Sequence, residues 1–189
     1  MVEKRSEYMK KNLQNIIEAL IFVSIEPLTS DKIKNILDEF PDEEIENALK
    51  ELLHHYSRNQ RGINIQKVSG GYLFATTKEY DEYVKRFLKD EKKQKLSREA
   101  LETLSTIAYH QPTTLAEISA IRGVDASHCL KTLLEKKLIK IVGRKKSPGK
   151  PLIYRTTKNF LTYFGLNSIE DLPSKEEIEK ILEDKYEDS

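Results

Sequence analysis

The chain has little that would suggest chemistry. It contains one cysteine, Cys129, so no internal disulfide forms and a reducing compartment is expected. No apolar run is long enough to span a bilayer, and the first residues do not read as a signal peptide, so a cytosolic protein with no membrane association is expected. Glycine is scarce, and Gly70-Gly71 lacks the Lys-Ser continuation of a phosphate loop. The four histidines, His54, His55, His110 and His128, fall in no zinc-ligand spacing. Cys129 lies on the inward stripe of its helix and reads as a small buried residue. No pair of acids stands in a catalytic frame. These absences point to a protein with no enzymatic activity, no cofactor, no metal and no small-molecule substrate. Net charge is missing too. Charged residues make up 33% of the chain yet cancel to +1, so the sum does not indicate a partner type.

What is present is a repeat. Tyr72-Leu-Phe-Ala-Thr-Thr-Lys78 matches Leu152-Ile-Tyr-Arg-Thr-Thr-Lys158 in residue type and order. Tyr80 matches Phe160 and Tyr83 matches Tyr163 in the same register. Upstream, Leu49-Lys-Glu-Leu-Leu53 matches Leu130-Lys-Thr-Leu-Leu134. The spacing is too long for a solenoid and implies two copies of one small domain.

Each copy reads as helix, helix, helix, strand, strand, helix. In the first, Leu13, Ile16, Ile17, Leu20 and Ile21 recur at helical spacing up to about Ser24. Thr29 or Ser30 caps a second helix with Ile33, Ile36, Leu37 and Phe40 inward. Pro41 followed by Asp42, Glu43 and Glu44 starts a third, burying Ile45, Ala48, Leu49, Leu52, Leu53 and Tyr56. Ile63 to Ser69 and Tyr72 to Thr76 flank Gly70-Gly71, a two-residue hairpin turn. A helix over Glu79–Leu88 closes the copy.

The charged stretch 89–95 is the expected domain joint. Ser97 caps the next helix, with Leu101, Leu104, Ile107 and Ala108 inward. Thr114-Leu-Ala-Glu117 is a capping box, and Gly123 closes that helix. Asp125 caps the third, whose stripe is Ala126, Cys129, Leu130, Leu133 and Leu134. Leu138 to Val142 form a strand that Gly143 ends. Leu152 to Arg155 return, and Thr156 or Thr157 caps a last helix that Gly165 closes. The fold class expected is mainly α with small β-hairpins, α+β, as two tandem winged-helix domains over 12–90 and 96–166. Residues 1–11 read as a flexible N-terminus and 167–189 as an extension with an acidic tail.

Two surfaces stand out. Between Lys140 and Lys158 there are seven Lys or Arg and no acid. Such a tip suits phosphate or an acidic protein. The outer face of the third helix carries Glu43, Glu44, Glu46 and Glu51 in the first copy, which oppose DNA. In the second copy it carries Ser127, His128, Lys131, Thr132 and Glu135. The expected partner-binding residues are Arg144, Lys145, Lys146 and Lys150 at the tip, Leu152 and Tyr154 on the return strand, and the aromatics Tyr163 and Phe164. The basic residues would steer an acidic protein and the aromatics would anchor it. One of Tyr163 and Phe164 is expected to close its own core. The first helix is apolar on more than one side, so Leu13, Ile17, Ile21 and Phe22 are expected at a homodimer interface. A tandem winged-helix transcription regulator is the alternative these surfaces allow.

Ile121-Arg-Gly-Val124, Leu130-Lys-Thr-Leu-Leu-Glu135, Gly143-Arg144, Pro148-Gly-Lys-Pro-Leu152, Tyr154, Thr156-Thr-Lys158, Phe160-Leu161, Tyr163-Phe-Gly-Leu166 and Leu172-Pro173 closely resemble the segregation and condensation protein B family. Ile17-Glu-Ala-Leu-Ile-Phe22, Pro27-Leu28 and Gly71-Tyr-Leu73 are similar to it as well. Lys145-Lys146 departs from the pattern, which places an acid near a basic residue there. The resemblance spans roughly 12–173. It implies a homodimer formed through the first domain. It also implies binding to the kleisin, segregation and condensation protein A (ScpA), which bridges the heads of an SMC ATPase. The complex it implies is condensin-like and compacts and segregates the chromosome. The protein would then be nucleoid-associated, touching DNA weakly or only through its partners.

Overall fold

The computed structural model describes residues 2–58, 61–88, 96–174 and 176–180. The chain divides into two compact units, Met1–Gln94 and Lys95–Ser189. The expected joint at 89–95 and the end of the acidic tail from 181 lie outside the described residues.

The first unit runs α1 (Val2–Val23), β1 (Leu28–Thr29), α2 (Ser30–Ile36), α3 (Asp42–Arg58), β2 (Ile63–Val68), β3 (Gly71–Thr76) and α4 (Asp81–Phe87). The second repeats that order as α5 (Arg98–His110), β4 (Thr113–Thr114), α6 (Leu115–Arg122), α7 (Ser127–Glu135), β5 (Ile139–Arg144), β6 (Leu152–Thr156) and α8 (Lys158–Phe164). Both units are mixed helix with a small antiparallel sheet, ordered β1-β3-β2 and β4-β6-β5. The sheets are therefore three-stranded, one strand more than a hairpin. The extra strands β1 and β4 are two residues each, pairing Leu28 with Tyr72 and Thr113 with Tyr154.

The helix boundaries follow from their caps. Thr29 Oγ1 accepts from the Lys32 amide and starts α2. Ser97 does the same for α5 through the Ala100 amide. Thr114 and Glu117 form a complete capping box on α6, and Gly123 closes it in the left-handed conformation. Thr157 caps α8 and Gly165 ends it, again left-handed. Asp125 sits one residue earlier than expected. Ala126 is the N-cap of α7, and the Asp125 carboxylate accepts from the Ser127 amide and hydroxyl.

Several positions differ from the sequence expectation. α1 begins at Val2, so the polar stretch expected as a flexible N-terminus continues the helix. The β2–β3 turn is Ser69-Gly70, both at positive φ, with Val68 paired to Gly71. Gly71 is needed for another reason: a Cβ there would meet backbone atoms of Pro27 and Leu28 at 2.7–2.9 Å. Only glycine lets β1 lie this close. Gly143 does not end β5. It pairs with Ile153 after a bulge that leaves Val142 without a strand partner, and the strand continues to Arg144. Ile36 and Leu101 are exposed, and Cys129 is half-buried at the margin of its core.

Each unit has its own core. In the first, Leu13, Ile17 and Ile21 of α1 meet Ile45, Leu49 and Leu52 of α3 over Leu28 and Tyr72. In the second, Leu104 and Ile107 of α5 meet Ile118, Leu130, Leu133, Tyr154 and Phe160. Burying one such side chain contributes about 1.5–3 kcal/mol.

Candidate partner-binding surfaces

The eight expected partner-binding residues fall into three environments. Tyr154 lies on the central strand β6, between Thr113 of β4 and Ile141 of β5. Its ring is 7% exposed and belongs to the core. Leu152 shares that face by strand alternation and packs partly buried against the same cluster. Tyr154 offers no free surface and Leu152 only part of one: the face of β6 that carries both is the one turned to the core.

The four cations form the hairpin tip and are all exposed. Lys145 N–H donates to the Pro151 carbonyl, Lys150 N–H to Ser147, and the Arg144 guanidinium to the Lys150 carbonyl at 3.1 Å. The tip is thus held by its own backbone. One acid approaches it. Glu117 accepts from Lys145 Nζ at 2.5 Å while also accepting from the amide and hydroxyl of Thr114. Lys145 and these cap bonds hold the Glu117 carboxyl well below its ordinary value, at about 2.

Tyr163 and Phe164 are both exposed, with rings in edge contact at 5.0 Å. The core-closing aromatic of α8 is instead Phe160, 5.0 Å from Phe164. Phe164 stands on the rim of an apolar cleft of about 420 Å³ in the second unit. Leu104, Ala108 and Phe160 form its floor, and the exposed Leu101 and Tyr109 share the rim with Phe164. Leu172 and Pro173 make the remaining wall. That wall is fastened down. Tyr109 Oη donates to the Pro173 carbonyl at 2.8 Å, and Asp171 accepts from the amides of Asn167 and Ser168. Those amides hold the Asp171 carboxyl below its usual range. Sequence reasoning missed Leu101, Tyr109 and the 166–173 segment as one site. The periodicity of α5 puts Leu101 on the inward stripe, whereas it stands exposed beside it.

In the first unit, Leu13, Ile17 and Ile21 are at most 1% exposed and face α3. They fill their own core and leave no area for a second copy. Phe22 is the one expected interface residue with a free surface, at 73%. Val23 and Ile25 beside it are similarly bare, as are Tyr83 and Phe87 on α4. Phase could have separated these sets: Leu13, Ile17 and Ile21 recur every four residues, and Phe22 and Val23 fall off that line. The outer face of α3 is acidic as expected, with Glu43, Glu44 and Glu51 around a shallow hollow and Gln14 donating to Glu51. Among the described residues no helix is long and apolar enough to cross a membrane.

Comparison with known proteins gives consistent results. The family model described as "Segregation and condensation complex subunit ScpB" matches residues 15–175. Segregation and condensation protein B of Clostridioides difficile (strain 630) is 39% identical over 173 residues, covering 91% of this chain and 97% of the relative. That of Clostridium acetobutylicum is 41% identical over 179 residues, covering 94% and 88%. Among solved structures, ScpB from Mycobacterium tuberculosis is 33% identical, covering 83% of this chain and 97% of that chain, with a TM-score of 0.40. A dimer of a ScpB N-terminal domain complexed with a ScpA peptide is 33% identical, covering 41% of this chain and 95% of that one, with a TM-score of 0.38.

Proposed function

The chain belongs to the family of the segregation and condensation complex subunit ScpB, and on that premise we propose that it is a non-enzymatic subunit of an SMC–kleisin complex, binding the kleisin ScpA as a homodimer to support chromosome condensation and segregation. The observation that carries this reading is the family match across 15–175, which takes in both units rather than one shared module. The repeated order of three helices and a three-stranded sheet favours tandem winged-helix domains. The acids on α3 disfavour use of the first as a base reader, since carboxylates repel phosphate at close range. The protein would act in the cytoplasm, reaching the SMC ATPase through the kleisin.

The exposed Phe22, Val23 and Ile25 at the end of α1, with Tyr83 and Phe87 on α4, are proposed as the dimer surface. Side chains this large and this bare suit a partner surface rather than open water. The cleft of the second unit is proposed to hold an apolar stretch of the kleisin, with Tyr163 and Phe164 as anchors. Because a ScpB N-terminal domain has been solved with a ScpA peptide, the first unit is proposed to share the kleisin contact. Isolation of the tagged protein from its own cells, with partners identified by mass, tests the function. ScpA and the SMC ATPase are expected in the eluate. Recovery of neither, under conditions that preserve SMC complexes, would contradict it.

A further inference from the structure

The near-zero net charge conceals a division between the units. Residues 96–174 carry twelve Lys and Arg against seven Asp and Glu, a net of +5. Residues 2–88 carry thirteen against fifteen, a net of −2. The excess in the second unit is gathered on one hairpin. Lys140 and Arg155 stand directly opposite each other across β5 and β6, on the face away from the core residue Tyr154. Like charges so placed cost the sheet stability. Neither forms an ion pair among the described residues, and the same holds for Lys146, Lys150 and Lys158; the hairpin's one ion pair is Lys145 with Glu117. All seven cations from Lys140 to Lys158 are exposed.

We propose that this hairpin binds the phosphate backbone of double-stranded DNA without regard to sequence. Lys140 and Arg155 share the outer face of the sheet, and β5 runs about 13 Å from Lys140 to the start of the tip at ~3.3 Å per residue, the axial length of about four phosphates on one DNA strand. The tip continues the row with Lys146 and Lys150, and its exposed residues include Gly149 and no aromatic. Phosphate contact needs cations and open backbone; a protein interface of this size would carry an aromatic anchor, which the cleft has and the tip lacks. Base reading is not part of the proposal. The exposed face of α7 offers Lys131 and Glu135, whose charges cancel. The hairpin tip is separate from the cleft proposed for the kleisin, since the two are built by opposite ends of the β6–α8 run.

The test uses the full chain, wild type and with Lys140, Lys146, Lys150 and Arg155 all changed to Gln, titrated against two labelled duplexes of unrelated sequence, each about 30 bp, over a range of salt. Lys145 is left in place because Glu117 neutralises it. Wild type should bind both duplexes equally, with log K falling linearly in log salt at a slope of about −4. The variant, its fold confirmed by circular dichroism and its self-association by light scattering unchanged, should lose about 0.9 of slope per residue removed and bind at least tenfold more weakly at low salt. No wild-type binding at about 50 mM salt would overturn the proposal. So would an unchanged slope in the variant, or a strong preference for one duplex. If the variant lost only the binding of a polyglutamate probe and kept its DNA binding, the hairpin would be a site for an acidic protein and the proposal would fall.

Discussion

Thr77 and Thr157 make the same two bonds in their separate units. Thr77 Oγ1 donates to the Arg61 carbonyl at 2.7 Å and its amide to Gly62 at 3.0 Å. Thr157 Oγ1 donates to the Lys137 carbonyl at 2.6 Å and its amide to Leu138 at 3.1 Å. Each ties the end of the returning strand to the start of the outgoing one. The identical triplets in the sequence thus mark identical clasps. Only Thr157 has a further role: its Oγ1 accepts from the Phe160 amide and caps α8, whereas Thr77 precedes a 3-10 turn without a side-chain cap. Thr77→Val should cost about 1 kcal/mol and Thr157→Val about 2 kcal/mol. Chemical denaturation of the two variants checks this; equal losses would mean the cap contributes nothing.

Gly70 and Gly71 are adjacent but should respond differently to alanine. A Cβ on Gly70 meets open space, so the penalty is that of its positive φ, about 1 kcal/mol. A Cβ on Gly71 meets the Pro27 carbonyl carbon at 2.7 Å and its oxygen at 2.8 Å. Backbone cannot yield as a side-chain tip would, so β1 must leave β3, with a loss of about 3 kcal/mol or more. The midpoints of urea unfolding for Gly70→Ala and Gly71→Ala decide it, and a Gly71→Ala no worse than Gly70→Ala would refute the close approach.

Glu117 links α6 to the hairpin, and its titration should be visible in stability. Its carboxyl is lowered from 4.5 to about 2 by Lys145 and the Thr114 donors. A carboxyl lowered by folding adds stability that is fully present above its unfolded value. That contribution is lost as pH falls from about 4.5 through about 2. Glu117→Gln should therefore flatten the rise of stability with pH across that window, matching wild type at its acid end and staying less stable by a constant amount above it. Thermal melts at stepped pH measure it; parallel curves for wild type and variant would contradict the assignment.

Much of this fold was legible in the chain because it is written in caps and clasps. Ser97, the Thr114–Glu117 box, Gly123 and Gly165 each act through a local backbone bond that residue type and spacing nearly dictate. The strands β1 and β4 were not legible, since two residues show no periodicity and their pairing depends on tertiary contact. The candidate surfaces were only half legible. Alternation put Leu152 and Tyr154 on one face but could not say which face meets the helices. The breadth of the α1 stripe was plain, but its sides were not: Leu13, Ile17 and Ile21 went inward and Phe22 and Val23 outward. The cleft joins α5, α8 and the segment after Gly165, which only the folded chain brings together.

Phe164→Ser should separate binding from stability. The ring is 44% exposed on the cleft rim, so its removal should cost the fold about 1 kcal/mol or less. As an interface anchor it should weaken kleisin binding by about 2 kcal/mol, mainly through faster dissociation. Tyr154→Ala, by contrast, should destabilise the second unit by about 3 kcal/mol because its ring is core. Surface plasmon resonance with immobilised ScpA, alongside melts of both variants, checks the pair.

The central claim is that this chain assembles as a ScpB-type dimer on a kleisin. Its most direct test is the absolute mass, by light scattering after gel filtration, of the purified chain alone and mixed with purified ScpA, for wild type and for Phe22→Ser with Val23→Ser. The wild type is predicted to run as a dimer and to shift to a complex holding two copies of this chain with the kleisin. The double variant, whose changed residues are exposed and leave the core intact, is predicted to run as a folded monomer. A wild-type chain that stays monomeric and leaves ScpA unbound would contradict the account.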